Sequence, residues 1–306
     1  MFWISKLFVR FDGNGIEYLI MAFFISEVSS NHSQDLQRSF DFIDRSADAG
    51  CSAVKFQLFK VESLFSPEAL GAKPDLLKRK TWELPLEFLP KLAHRCHSKG
   101  VQFSCTPFYL EAVQELGPYV DFYKVASYEL MWDDLLAACA QTGKPVILST
   151  GMATIAEIQH AVEVLRYHSC VRTTLLHCTS AYPTPYGEAN LAAIQSLRDQ
   201  TGCEIGWSDH TVEPAVIHRA ISRWRASVIE FHLDLDGHGE EYAAGHCWLP
   251  EQIGDVIRDV KKALAADGNG VKEPVPSELP DRLWRADPSD GLRPLKKLRA
   301  TLAPNQ

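Results

Sequence analysis

The chain has 306 residues, 46% of them apolar and 23% charged, with a formal net charge of −8. That balance describes a folded chain of one large domain or two small ones, and excludes a disordered chain, which is apolar-poor and highly charged. The acidic total argues against a duplex-binding protein, which needs a basic face, yet leaves room for a small anion held by a few pocket lysines.

The opening MFWISKLFVRFDGNGIEYLIM carries no small-residue cleavage site and is not read as a signal peptide. Asp12-Gly13-Asn14-Gly15 lies between two short apolar runs and predicts an N-terminal hairpin over residues 1–20. Short apolar runs then recur at 20–26, 53–57, 101–105, 122–126, 145–149, 173–177, 204–207 and 227–231. They are rich in β-branched and aromatic residues and too short for helices. Their continuous apolarity predicts strands buried on both faces, as in a parallel sheet.

Helical patterns lie between them at 34–49, 86–99, 133–142, 154–167, 190–200, 213–225 and 250–265. The first places Leu36, Phe40, Ile43 and Ala47 on one stripe and stops at Gly50; the fourth opens on Thr154-Ile-Ala-Glu157, a capping-box pattern. Strand and helix in alternation predict a (β/α)₈ TIM barrel over residues 21–265, close to the ~250 residues typical of that fold. A doubly wound open sheet is the alternative, but the first strand runs into Glu27-Val-Ser-Ser-Asn-His32 rather than a glycine-rich phosphate turn.

Residues 61–82 are polar and lysine-bearing and predict an excursion over one barrel end. Residues 266–306 form a short Gly/Asn/Pro-rich C-terminal tail, too small for a domain with its own core. Trp284 and Leu292 are its expected apolar anchors, with Arg282, Arg285 and Arg293 nearby for a substrate contact. No apolar run approaches the ~20 residues that span a bilayer. The eight cysteines are scattered without a CxxC pair, which predicts reduced thiols in a cytoplasmic enzyme.

In a TIM barrel the chemistry sits at the carboxyl ends of the strands. Those positions carry Glu27, Asn31 and His32; Lys55 and Gln57; Ser104 and Thr106; Lys124 and Ser127; Ser149 and Thr150; His177 and Ser180; Ser208, Asp209 and His210; Glu230 and His232. Lys55 and Lys124 each interrupt an apolar strand, and lysine is almost never buried unpaired. Two ammonium groups among the hydroxyls of Thr106, Ser127, Ser149 and Ser208 suit a phosphate or carboxylate. Pairing with Glu27 or Glu230 and a Schiff-base lysine are the alternatives. His210 and His232 end neighbouring strands ~5 Å apart and can share one divalent metal, with Glu27 or water completing a mixed N/O shell. His94, His97, His160 and His218 fall on predicted helices and read as surface residues. Ser208-Asp209-His210 contains the residue types of a serine triad, but contiguous side chains point in different directions. Cys178 is read as strand packing.

At these residues the chain resembles the N-acetylneuraminate (sialic acid) synthase family. The resemblance is carried by Ser26-Glu-Val-Ser-Ser-Asn-His32, Ala53-Val-Lys-Phe-Gln57, Tyr123-Lys-Val-Ala-Ser127, Gly143-Lys-Pro-Val-Ile-Leu-Ser-Thr-Gly-Met152, Leu176-His-Cys-Thr-Ser-Ala-Tyr-Pro-Thr-Pro185, Gly206-Trp-Ser-Asp-His-Thr211 and Val228-Ile-Glu-Phe-His232. It implies condensation of phosphoenolpyruvate with an open-chain N-acylated amino sugar, a divalent cofactor (Mn²⁺ or Mg²⁺) and release of phosphate. Residue by residue, it assigns Lys55, Lys124, Ser127, Ser149 and Ser208 to phosphoenolpyruvate and Thr106 to a place near it. It assigns His210 and His232 to the metal, Glu27 to the acid beside the metal and the attacking water, and Tyr182 to the sugar side; Ser180 is taken as a further substrate-binding residue. The partners expected are thus small molecules, with a homodimer left open and neither nucleic acid nor membrane among them.

The chain departs from the family pattern in three ways. Ser180 stands where the family has Asn. The loop after His232, Leu-Asp-Leu-Asp-Gly-His-Gly-Glu-Glu-Tyr-Ala-Ala-Gly-His-Cys-Trp, lacks the usual Pro-Gly-Pro-Asp. No antifreeze-like C-terminal domain is expected from the tail.

Overall fold

The computed structural model describes residues 22–302, so the hairpin expected over residues 1–20 lies outside them. Eight strands follow in chain order: β1 Phe23–Glu27, β2 Ala53–Leu58, β3 Gln102–Pro107, β4 Phe122–Val125, β5 Val146–Ser149, β6 Thr173–His177, β7 Glu204–Asp209 and β8 Val228–Leu233. Each pairs in parallel with the next, and β1 pairs with β8, which closes the ring. The fold is the expected (β/α)₈ TIM barrel. A ninth strand, β9 (Cys247–Trp248), adds to the edge of β8.

The pleat explains why these strands are apolar throughout. Outward residues such as Phe24, Val54, Phe103, Tyr123, Leu148 and Trp207 join the helices in one core. Inward residues Phe23, Ile25, Ala53, Phe122, Ile147, Leu176 and Val228 form a second, inside the ring. Inside, two-residue alternation carries each strand from this plug to a polar group at its carboxyl end: Ile25 to Glu27, Ala53 to Lys55, Phe122 to Lys124, Ile147 to Ser149 and Val228 to Glu230. Gly206 is required in the plug, because a Cβ there would lie 2.4 Å from the Val228 carbonyl oxygen and 2.6 Å from Leu176.

The helices at the outer wall follow their sequence signals, with ends displaced by up to three residues. Leu36–Ala49 ends on Gly50 at φ 95, whose N–H returns to the Ala47 carbonyl. Ile155–Tyr167 carries the full Thr154/Glu157 capping box. The segment read as one helix over 86–99 is a 3₁₀ turn, Leu86–Phe88, followed by Leu89–Ser98, with Pro90 in the first helical turn where a missing N–H costs nothing. Helix Leu110–Leu116 was not anticipated; seven residues are too few to display a periodic face. The excursion folds as two short helices, Val61–Leu64 and Pro67–Ala72, and a 3₁₀ run, Pro74–Trp82.

The chain divides into two units, residues 22–264 and 265–302. The second is built from 3₁₀ turns Pro276–Glu278 and Pro280–Trp284 and helix Lys296–Leu302. Within it the Asp287 carboxylate accepts from Ser289 Oγ and Lys296 N, and Arg299 forks onto Asp290 at 2.8 Å. Among the described residues no helix is long and apolar enough to cross a membrane.

Candidate active site

A cavity of about 690 Å³ opens at the carboxyl ends of the strands. Glu27, Lys55, Thr106, Lys124, Ser127, Ser149, Tyr182, Ser208, His210 and His232 all line it. Of the site residues named with the family resemblance only Ser180 is not in the lining, and among the other strand-end candidates Asn31, His32, Ser104, Thr150, His177 and Asp209 also lie outside it. A Cβ on Gly151 would lie 2.2 Å from Ser180 Oγ and 2.9 Å from Ser127 Oγ, so glycine lets these two hydroxyls close up around the backbone. Phe65, Arg79 and Trp82 of the excursion complete the rim, with the Arg79 guanidinium stacked on both rings.

Both lysines are buried, and both carry the carboxylate partners, Glu27 and Glu230, that the sequence offered. Lys55 forms an ion pair with Glu27, lies 3.9 Å from Glu230 and donates to Thr106 Oγ1. Lys124 lies 3.2 Å from Glu230, which also accepts from Ser208 Oγ. The reason is electrostatic: an ammonium shielded from water needs an adjacent countercharge. Burial would lower the Lys55 pKa, but Glu230 and Glu27 outweigh it and hold the ammonium above its ordinary range. Burial would raise Glu230, but Lys124 and Lys55 hold it well below the usual carboxylate range. The cavity floor therefore brings two lysines and two glutamates into contact. Ser149 Oγ is buried beside them without a hydrogen-bond partner, a hydroxyl left for a ligand.

His210 and His232 come together as expected, with ring centroids 5.5 Å apart. His210 Nδ1 lies 2.8 Å from the Thr179 carbonyl oxygen, which leaves Nε2 available. Burial, reinforced by His232, pushes His210 down to about 3, so it is a neutral ligand-type imidazole. The carboxylate on His232 is Glu241, 2.8 Å from Nδ1, and not Glu27. Glu27 is instead engaged by Lys55, Gln57 Nε2 and Ser29 N. Burial would lower His232, but the Glu241 hydrogen bond outweighs it and raises the pKa. Tyr182 packs on both imidazoles, 4.3 Å from His210 and 5.9 Å from His232.

Asp209 does not orient His210, so Ser208, Asp209 and His210 do not form a serine triad. Its buried carboxylate accepts from Trp207 Nε1, Trp248 Nε1 and Thr211 Oγ1, which fixes the turn after β7 and holds Val212 at φ 56. Cys178 is buried against Ser127, in keeping with a packing role.

Among the cavity residues that the sequence reading did not single out are Glu129, Glu241 and His246. Glu129 sits in the 3₁₀ turn after β4, where burial pushes its carboxyl up to about 7. Glu241 and His246 belong to the loop that departs from the family pattern. That departure was the one signal pointing to them.

The NeuB family model matches residues 42–272. An N,N'-diacetyllegionaminic acid synthase of Campylobacter jejuni is 35% identical over 271 residues, covering 83% of this chain and 80% of its own. A pseudaminic acid synthase of the same species is 30% identical, over 81% and 75%. The crystal structure of an N-acetylneuraminic acid (sialic acid) synthetase from Leptospira borgpetersenii superposes with a TM-score of 0.75 at 30% identity, over 88% of this chain and 93% of that one. With a barrel whose strand ends carry the expected residues and a family match over most of its length, the chain is an enzyme of the NeuB family.

Proposed function

We propose that this chain condenses phosphoenolpyruvate with the aldehyde of an open-chain N-acylated amino sugar, of the N-acetylmannosamine type, giving a sialic-acid-like nonulosonic acid and inorganic phosphate. The observation that carries this reading is a single cavity in which buried Lys55 and Lys124 stand among the hydroxyls of Thr106, Ser127, Ser149 and Ser208, beside the His210–His232 pair. The names of the legionaminic, pseudaminic and sialic acid relatives support an amino-sugar acceptor. A reducing, cytoplasmic setting suits cysteines that are all free.

In this reading Lys55 and Lys124 face the phosphate and carboxylate of phosphoenolpyruvate, and the hydroxyls add directional hydrogen bonds. Holding the enol C3 against the aldehyde carbon is an orientation effect. The enol π electrons form the new C–C bond, the aldehyde oxygen takes a proton, and C2 becomes oxocarbenium-like. Water held at Glu27 adds to C2 and loses a proton. The tetrahedral carbon then collapses to a ketone as its C–O bond to phosphate breaks. His210, whose Nε2 is left free by its Nδ1 contact, and His232 beside it at the cavity wall would hold a divalent ion, Mn²⁺ or Mg²⁺. When bound it supplies Lewis-acid polarisation of the sugar carbonyl.

The test is phosphate release from phosphoenolpyruvate with N-acetylmannosamine, other N-acylated amino sugars and a phosphorylated sugar, using ¹⁸O in the bridging position. Release with an amino sugar and label in the phosphate is expected. Release with none of them, or label retained in the sugar acid, overturns the reading.

A further inference from the structure

The loop between β8 and β9 and the first residue of β9 place three more metal-type side chains on His232. One donor atom from each of His232, Glu241, His246 and Cys247 lies within 4.8 Å of the other three. Glu241 Oε2 is at the centre, 2.8 Å from His232 Nδ1, 3.6 Å from His246 Nε2 and 3.8 Å from Cys247 Sγ. Donors around one tetrahedral first-row ion stand roughly 3.3–3.8 Å apart, given metal–nitrogen and metal–sulfur bonds of about 2.0–2.3 Å. The spacings from Glu241 to His246 and Cys247 already match, the remaining pairs lie within 4.8 Å, and an ion drawing the donors in would replace the hydrogen bond between His232 and Glu241.

His246 is the independent observation. Its side chain is 8% exposed, and its Nδ1 is buried with no hydrogen-bond partner. A histidine kept only for packing has both ring nitrogens to satisfy, and an apolar residue would fill the space at lower cost. The loop is also held in place. Arg38 ion-pairs with Asp234 and Asp236, Asp234 accepts from Gly239 N, and Ser29 and Ser30 donate to Glu241 Oε1. Gly245 at φ 95 turns the chain so that Glu241 and His246 face each other.

We propose that Glu241 and His246 are protein ligands of the divalent ion in this chain, joining His232, so that the loop after β8 supplies part of a metal site that the strand ends alone do not complete. Imidazole nitrogen and carboxylate oxygen, backed by a thiol, select a first-row ion such as Mn²⁺, Co²⁺ or Zn²⁺ over Mg²⁺. The inference rests on the metal reading above and changes its ligand set.

Calorimetric titration of the ion-free protein with Co²⁺ alone tests it, with His246→Gln, Glu241→Gln and His210→Gln alongside and thermal midpoints taken with and without Co²⁺. Glu241→Gln keeps the side chain's shape, so it carries the test if His246→Gln does not fold. Wild type is expected to bind one Co²⁺ and gain thermal stability, and each loop variant to lose at least 10-fold in affinity and most of that gain. X-ray absorption of bound Co²⁺ should show one imidazole fewer in His246→Gln. Loop variants that bind like wild type while His210→Gln does not would overturn the inference and leave the strand-end pair standing. A wild type that binds no Co²⁺ would overturn both.

Discussion

The ammonium of Lys124 lies 3.2 Å from the carboxylate of Glu230, which ties β4 to β8 across the mouth of the barrel. Removing one partner strands the other as a buried charge. Glu230→Gln is expected to cost about 3 kcal/mol of stability, and the double variant Lys124→Met/Glu230→Gln less than the two single losses combined. Urea unfolding of the four proteins measures the coupling. Strict additivity would show that the pair does not act as a unit.

Glu129 gives stability a pH dependence of defined sign. Burial raises its carboxyl to about 7, so the folded state prefers the protonated form. The contribution is complete below the unfolded value near 4.5 and is lost as pH rises through about 7. The thermal midpoint of wild type should therefore fall between about pH 5 and pH 8, and that fall should shrink in Glu129→Gln, which cannot ionise. Identical midpoint profiles for the two proteins would rule this out.

Gly151 should not tolerate a side chain. Its added Cβ meets Ser180 Oγ at 2.2 Å and Ser127 Oγ at 2.9 Å, so both hydroxyls must move. Gly151→Ala is expected to lose about 1–3 kcal/mol, as overpacked sites do, and to raise the phosphoenolpyruvate KM several-fold. Steady-state kinetics beside a melting curve separate the two effects. A wild-type KM would place Ser127 outside the substrate site.

Removing the divalent ion should stop turnover without unfolding the barrel. The His210 ring is hydrogen-bonded to a loop carbonyl through Nδ1 and packs on Tyr182, so His210→Ala removes a cavity-facing nitrogen together with that ring contact at the barrel mouth. Chelator and His210→Ala should each reduce phosphate release to background, with added Mn²⁺ rescuing only the chelated wild type. Circular dichroism confirms the fold, and full activity in chelator would end the metal reading.

Much of this molecule is decided by order along the chain. Each strand is apolar because one face meets the helices and the other the plug, so eight apolar runs separated by helical periods already specify a barrel. Its carboxyl end needs only the polar residue that breaks each run, which is why the cavity positions of Glu27, Lys55, Lys124, Ser149, Ser208, His210 and His232 were legible from the sequence. Packing decided the pairings. Whether Lys55 takes Glu27, or Lys124 takes Glu230, depends on strands far apart in sequence meeting over the same plug, and no local pattern encodes that distance. The convergence of Glu241 and His246 on His232 is likewise set by a loop that Arg38 and Ser29 hold from the opposite end of the chain. Periodicity and capping are properties of neighbours and can be read from one segment, whereas a buried charge is stabilised by whichever partner the tertiary structure delivers.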